Sequence, residues 1–206
     1  MQLNIENVMN KKTQVVLYVT FLVASGCSLA QSLPKNILKQ IPGNYTVLAY
    51  EGGLLNADKL VDFIVVLHKP NEESIGNIAS PVRPLLIFIH NTDNSFKLAK
   101  RNDHLVFKFD EGGQCDPFTD SDEGLVIYKR YFTVQHSVAC GQHWTDYITF
   151  RFVPALQDWV FHKRISESWV LNTSSDPNAD ALILGGREVT SAKGKAPILF
   201  EKYRSN

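Results

Sequence analysis

The sequence predicts a mainly β fold: a single domain of antiparallel strands, arranged as a sandwich or a curved meander, with one short N-terminal helix at most. Three observations support this prediction. Residues 131–136 (YFTVQH) and 147–152 (YITFRF) alternate along the chain, which is the period of a strand with one packed face. Residues 62–67 (DFIVVL) are almost all apolar and β-branched, as in a strand buried on both faces. Several short strands joined by tight turns are typical of antiparallel sheets.

The elements follow in chain order. Residues 33–41 (LPKNILKQI) predict one short helix or turn, because Pro34 stands where helix starts tolerate proline. The turn at residues 91–94 predicts a hairpin between its two flanking strands. Residues 172–195 are rich in Ser, Asn, Asp and Gly and predict irregular structure. The strand candidates are residues 45–49, 62–67, 85–90, 96–100, 131–136, 147–152, 159–165 and 197–201.

The first 30 residues match an export signal. Lys11 and Lys12 form a positive region, residues 15–24 an apolar region, and residues 25–30 a region of small side chains. The apolar region is about half of the roughly 20 residues that a membrane-spanning helix needs, so we expect a signal peptide. Met9 directly precedes this pattern and is a candidate translation start.

Two cleavage sites are compatible with this signal. Cleavage after Ala30 leaves a soluble chain, residues 31–206, and this is the preferred prediction. Residues 23–27 (VASGC) instead resemble a bacterial lipobox, which implies a lipidated Cys27 and attachment to the envelope membrane. Ala24 stands where a lipobox usually has leucine. Both products place the domain outside the cytoplasm, in the periplasm or in the medium.

The charge balance gives no indication of a polyanionic partner. Acidic and basic residues number 21 each, so we expect neither nucleic acid nor an anionic membrane surface as a partner. The hydrophobic fraction of 44% is typical of a folded globular domain.

Export determines how the cysteines are interpreted. In an oxidising compartment, Cys115 and Cys140 are expected to form a disulfide. Two alternatives use the spacing His-x3-Cys-x2-His: a zinc site at His136, Cys140 and His143, or a nucleophilic pair of Cys140 with His143. Both alternatives need a free thiolate on Cys140, which a disulfide removes.

The segment GLLNADKLVD, just before the apolar strand, resembles the loop Gly-Asp-x-Asn-x-Asp-Gly-x-x-Asp of integrin-type FG-GAP and VCBS repeats. In those repeats the acids chelate calcium, so the resemblance implies a calcium site at Asn56, Asp58 and Asp62. Leu54 replaces the first Asp of the motif and Lys59 replaces its Gly. The alternative is a turn in which Asn56 and Asp58 bond their own backbone. No other cofactor is predicted.

Residues 33–165 resemble a family of secreted and periplasmic bacterial proteins, mostly from Gram-negative species, for which no activity is established. The shared motifs are Leu33-Pro34, the loop 56–62, residues 83–88, 98–99, 101–103, 112–113, 116–118 and 132–136, Trp144, residues 149–152 and Trp159. The resemblance implies a fold and an exported location.

The acids near Cys115 suggest one enzymatic hypothesis. They are Asp110, Glu111, Asp116, Asp120, Asp122 and Glu123. Paired carboxylates can hydrolyse glycosides, so an envelope hydrolase is one alternative. The chain contains no P-loop, Gly-x-Ser-x-Gly elbow, HExxH motif or dinucleotide fingerprint.

The preferred hypothesis is an exported, non-enzymatic domain that binds a protein or an envelope component, as an inhibitor or immunity factor in the periplasm. The candidate binding loop contains Asp116, Phe118, Asp120 and Asp122. A platform of exposed aromatics is a second candidate surface. Its members are Trp144, Trp159, Trp169, Tyr131 and Tyr147. A calcium-stabilised structural lipoprotein is the remaining alternative.

Overall fold

The computed structural model describes residues 32–74, 80–121 and 124–205. The predicted signal peptide, Met9 and Cys27 lie outside these ranges. No helix in the described ranges is long and apolar enough to cross a membrane.

The described part of the chain forms two antiparallel sheets, in each of which neighbouring strands follow one another in sequence. Sheet A contains β1 (Thr46–Gly53), β2 (Asp62–His68), β3 (Arg83–His90) and β4 (Phe96–Val106). Sheet B contains β5 (Leu125–Tyr128), β6 (Tyr131–Val138), β7 (His143–Val153), β8 (Asp158–Leu171) and β9 (Leu182–Ser191). The helical elements are α1 (Lys35–Leu38) and the 3-10 turns Glu72–Ser74 and Phe200–Lys202.

The two sheets share one apolar core, so the fold is a sandwich. Ile64 and Ile87 of sheet A belong to the same buried cluster as Phe132 and Phe150 of sheet B. The Phe132 and Phe150 rings stack with their centroids 5.1 Å apart, and Phe200 meets both rings edge to face. The prediction of a mainly β, antiparallel fold with one short helix is confirmed.

Sheet A is covered on its outer face as well. Phe63, Val65 and Phe88 pack there against Leu33 and Ile37 of the N-terminal segment. All of β2 except its last residue is therefore buried, as the unbroken apolar pattern predicted. The N-terminal segment forms the predicted short helix and closes this second, smaller core.

Two predictions about the C-terminal part are wrong. Residues 172–195 were expected to be irregular, but β9 (Leu182–Ser191) pairs along β8. The pairing of β8 with β9 has a bulge at Gly185, which is opposite no residue of β8. A Cβ atom on Gly185 would lie 2.7 Å from Val170 Cγ1. Residues 197–201 were expected to form a strand, but only Leu199 makes a bridge, to Val160. The chain then turns so that Phe200 enters the core.

Candidate functional site

The inner face of sheet B changes from apolar to polar at one end of the sandwich. Alternation places Phe132 and Val134 of β6 on this face, and the next inward residue is His136. On β7 the same face carries Phe150, Ile148 and then Asp146, which is only 3% exposed. A cavity of ≈ 520 Å³ lies at this end, and Asp146 contributes to its wall. We call it the polar pocket.

The polar pocket is lined by two aromatic rings, five charged side chains and several small residues. These are Phe107, Trp144, Asp146, Arg164, Ser166, Glu167, Ser168, Gly186, Arg187 and Glu188. Register explains how they meet, because Asp146 lies opposite Ser166, and Ser166 lies opposite Glu188 on the next strand. Three neighbouring strands therefore present polar side chains at one level of the sheet.

Asp146 is the central group of this level. Its Oδ1 accepts hydrogen bonds from Arg164 Nε at 2.8 Å and from Ser166 Oγ at 2.6 Å. Its Oδ2 is buried and has no hydrogen-bond partner among the described residues. A buried carboxylate oxygen without a donor is costly. The Nδ1 of His136, on the facing strand, is likewise buried and has no partner among the described residues.

Arg164 remains charged in this setting. Burial lowers the pKa of Arg164, but the hydrogen bond and the charge of Asp146, together with the charge of Glu188, outweigh burial and raise it. Arg164 Nη1 also donates to the carbonyl oxygen of Ser205 at 2.6 Å. The guanidinium thus joins the pocket to the C-terminal segment and neutralises one carboxylate.

His136 lies directly opposite Asp146 on β6 and is fully buried. Its Nε2 accepts the backbone N–H of Phe107 at 3.1 Å, so the proton of the neutral ring is on Nδ1. The Phe107 ring stacks on the imidazole with centroids 4.0 Å apart. Burial, assisted by the charges of Arg164 and Arg83, lowers the pKa of His136 to about 3. His136 is therefore neutral and structural at physiological pH.

A second buried ionic group lies around Arg83 of β3, which is 1% exposed. Arg83 donates to both carboxylate oxygens of Asp116, at 2.7 and 2.6 Å, and its Nε donates to Glu72 at 2.8 Å. Burial lowers the pKa of Arg83, but its bonds to Asp116 and Glu72 outweigh burial and raise it. This cluster fixes the loop around Asp116 to sheet A.

The candidate calcium residues lie in one loop between β1 and β2. Asn56 Oδ1 accepts the N–H of Asp58 at 2.7 Å, and Asp58 Oδ1 accepts the N–H of Leu60 at 2.8 Å. These two bonds are those expected of the alternative to a calcium site, a turn in which Asn56 and Asp58 bond their own backbone. The Asp62 carboxylate points inward and accepts the N–H groups of Leu55 and His90, at 3.2 and 2.9 Å, and burial raises its pKa to about 6. Calcium binding stays a prediction. It would require the side-chain oxygens of Asn56, Asp58 and Asp62 to exchange their backbone N–H partners for the ion.

The predicted cysteine pair lies at disulfide distance. The Cys115 and Cys140 sulfurs are bonded, with Cα atoms 6.2 Å apart. The bond ties the loop after β4 to the turn between β6 and β7. While it is intact, Cys140 supplies no thiolate for the zinc or nucleophile alternatives, and His136 is committed to Phe107.

Replacing both Cys115 and Cys140 with Ala is expected to lower the free energy of unfolding by at most about 3.5 kcal/mol, because the unfolded chain gains the entropy of a 25-residue loop. Urea denaturation measures this loss. The control is wild-type protein in a reductant, which should lose a similar amount; a variant as stable as the oxidised wild type would contradict the expectation.

The predicted binding loop is partly committed to the fold. Phe118 is 3% exposed and belongs to the main core. Burial raises the pKa of Asp116, but the hydrogen bonds and charge of Arg83 outweigh burial and lower it. Asp116 is therefore ionised and unsuited to be the protonated acid of a hydrolase pair. Asp120 is exposed, and Asp122 lies outside the described residues.

The predicted aromatic platform divides into separate environments. Trp159 is 2% exposed, and its indole N–H donates to the carbonyl oxygen of Leu55. Trp144 lines the polar pocket, and Trp169 is exposed on β8. Tyr131 contacts His162 edge to face. The structure thus brings Trp144 and Trp169 to the same end of sheet B.

Four residues of the polar pocket were not among the predicted site residues: Asp146, Arg164, Ser166 and Glu188. For Asp146 a signal exists, since stepping back by two from Phe150 and Ile148 reaches an acid on the apolar face. An inward acid in a strand requires a buried partner. The partner could not be identified from the sequence, because it depends on the register of β8.

The end of the β8–β9 hairpin exposes large apolar side chains. We define this hairpin end as residues 165–171 and 182–189. An apolar groove of ≈ 460 Å³ runs beside it and is lined by residues 141–144, residues 168–171 and Leu182. The disulfide at Cys140 holds the turn that forms one side of the groove.

No family model matches the sequence, and neither a curated protein nor a solved structure matches it. The features that bear on function are therefore those of the structure: an antiparallel β-sandwich carries, at one end of sheet B, a polar pocket beside an exposed apolar hairpin.

Proposed function

We propose that this chain is an exported, non-enzymatic domain that binds a protein partner through the hairpin end of β8 and β9. The observation that supports this proposal is the set of large apolar side chains that this short segment exposes. They are Trp169 at 37%, Val170 at 49%, Leu171 at 75%, Ile183 at 45%, Leu184 at 47% and Val189 at 56%. By strand alternation Val170 and Ile183 lie on one face of the hairpin end and the other four on the opposite face, so both faces are apolar. Exposed apolar residues of this kind mark interaction surfaces.

The register shows that several of these side chains form one continuous surface. Trp169 lies opposite Leu184, and Leu171 lies opposite Leu182. Arg164 and Ser166 point into the polar pocket, so the alternate residues of β8, including Trp169 and Leu171, point to the opposite face. An aromatic residue surrounded by leucines is typical of an interface hot spot.

Strand β9 adds a backbone component to this surface. It is the last strand of sheet B, and within the described residues its outer edge pairs with no further strand. A strand edge of this kind can accept a strand from another protein, and the groove beside the hairpin can receive an apolar side chain of the same partner. Both features indicate a polypeptide partner rather than a small substrate.

The exported location and the role of a periplasmic inhibitor or immunity factor belong to the same proposal. The disulfide supports export, because such bonds persist mainly outside the cytoplasm. A domain that acts by occlusion needs a rigid surface and no catalytic groups. The pairing of His143 with Trp169 anchors the hairpin end to β7, which favours a rigid surface.

The experiment is affinity capture from the envelope fraction with the tagged protein, comparing wild type with the double variant Leu171→Ser/Leu184→Ser. We expect the variant to lose the partner that the wild type retains, because two apolar contacts are replaced by hydroxyls. The matched control is Leu98→Ser/Leu156→Ser, at residues that are 41% and 47% exposed and lie away from the hairpin. Equal capture by all three proteins would refute the proposal. Light scattering of the purified protein shows whether the partner is a second copy.

A further inference from the structure

We infer that the polar pocket is a binding site for a primary alkylammonium group, as carried by a lysine side chain or a free amine. The inference goes beyond the proposed function, because it concerns the inner face of sheet B and can be tested without the partner protein. It rests on the charge of the pocket, on the buried oxygen of Asp146 and on the aromatic wall.

The charges that line the pocket favour a cation. Asp146, Glu167 and Glu188 contribute three negative charges, and Arg164 and Arg187 contribute two positive charges. Glu167 and Arg187 neutralise each other, since Arg187 Nε lies 3.3 Å from Glu167 Oε1. Arg164 is committed to Asp146 and to the C-terminal segment. Glu188 makes no ion pair among the described residues, and although its charge acts on Arg164, the lining as a whole carries one net negative charge.

Asp146 gives the pocket a hydrogen-bonding preference. The carboxylate is 3% exposed, and its Oδ2 has no donor among the described residues, although Oδ1 has two. The unfilled position on Asp146 is an acceptor. The other unpartnered group at this end, His136 Nδ1, is on the facing strand and does not line the pocket, so within the pocket the open position favours a ligand that donates. An anion would place a second acceptor against this oxygen and against Glu188, which is electrostatically unfavourable.

The aromatic wall suits the alkyl chain of the ligand. Phe107 and Trp144 lie with ring centroids 6.1 Å apart and tilted by 56°, forming an angled apolar surface. A butyl-length chain can lie on this surface while its ammonium group stays near the carboxylates. Indole and phenyl faces also attract cations directly. The hydroxyls of Ser166 and Ser168 complete a lining that can solvate an ammonium group.

The test is an NMR titration of the purified full chain with n-butylammonium chloride, with n-butanol as the neutral probe and sodium butyrate as the anionic probe. We expect saturable shifts of the Trp144 indole N–H and the Gly186 amide with butylammonium only. The Glu188→Gln variant should bind three to five times more weakly, because one exposed carboxylate is lost. Glu188 is exposed, so the variant is expected to fold normally.

The matched control is Glu73→Gln, at an exposed glutamate outside the pocket, which should leave the affinity unchanged. A capped Gly-Gly-Lys-Gly-Gly peptide distinguishes the two sources: tighter binding than butylammonium assigns the site to a protein lysine, and weaker binding assigns it to a free amine. Absence of saturable shifts, equal shifts with butanol, or tighter binding of butyrate would overturn the inference. Because no partner protein is used, its failure is separate from a failure of the hairpin proposal.

Discussion

Replacing Arg83 with Met is expected to lower the free energy of unfolding by about 3–5 kcal/mol, because it leaves the buried Glu72 and the partly buried Asp116 without their cation. Glu72 is 3% exposed, and its second oxygen already lacks a partner among the described residues. Asp116 receives both of its short bonds from the same guanidinium. Urea denaturation at pH 7 measures the loss.

The matched control is Arg101→Met on the neighbouring strand β4. Arg101 also binds a carboxylate, that of Asp103 at 2.6 Å, but its side chain is 41% exposed, so we expect a loss below about 1 kcal/mol. Adding Glu72→Gln to Arg83→Met should recover part of the stability, because it removes a buried charge. Equal losses in Arg83→Met and Arg101→Met would show that the buried cluster does not stabilise the fold.

Acidification is expected to destabilise the protein through His136. Its pKa is about 3 in the folded protein and 6.5 in the unfolded chain, because burial disfavours the charged ring. Between these values the unfolded chain binds the proton and the folded protein does not. The contribution of His136 is therefore complete above pH 6.5 and is lost as the pH falls towards 3, by about 5 kcal/mol over that interval.

The comparison that isolates this effect is wild type against His136→Gln, measured by urea denaturation at pH 7 and pH 4. Glutamine keeps an acceptor for the Phe107 N–H but does not titrate in this range. We expect the loss of stability on acidification to be smaller in the variant by about 3 kcal/mol. Asp62 acts in the opposite direction, since its raised pKa of about 6 favours the folded state at low pH, but it is present in both proteins and cancels. Identical pH profiles would contradict the buried, neutral state of His136.

The parts of the fold that depend on local pattern could be predicted from the sequence. The alternation of residues 131–136 and 147–152 identified the inner faces of β6 and β7, and the unbroken apolar run identified β2 as buried on both faces. Burial of side chains imposes these periods directly, so they are visible in one sequence.

The sequence could not predict which side chains of β8 face the core, because a bulge reverses the alternation partway along the strand. Trp159 and Phe161 point into the core, so a period of two would place Lys163 and Ile165 on the same face. A register shift where Phe150 pairs with Phe161, and Thr149 with Lys163, turns Arg164 inward instead. A shift of one residue exchanges the two faces of a strand. The bulge thus creates the polar pocket and leaves apolar side chains of the hairpin end exposed.

Strand β9 was missed for a related reason. Gly185 and Gly186 look like a turn in the sequence, whereas their small size allows the bulge opposite Ser168 and Trp169. The buried ion cluster was missed because Arg83, Glu72 and Asp116 are brought together by the sandwich and not by their spacing. Long-range register and tertiary pairing determine such sites.

The central claim is that the hairpin end of β8 and β9 is the surface that binds a protein partner. The most direct test is hydrogen–deuterium exchange of the purified protein with and without the captured partner. We predict slower exchange in residues 167–171 and 182–189, with residues 46–53 of β1 unchanged. Protection confined to residues 107–121, or to sheet A, would contradict the claim and would favour the acidic loop as the binding surface.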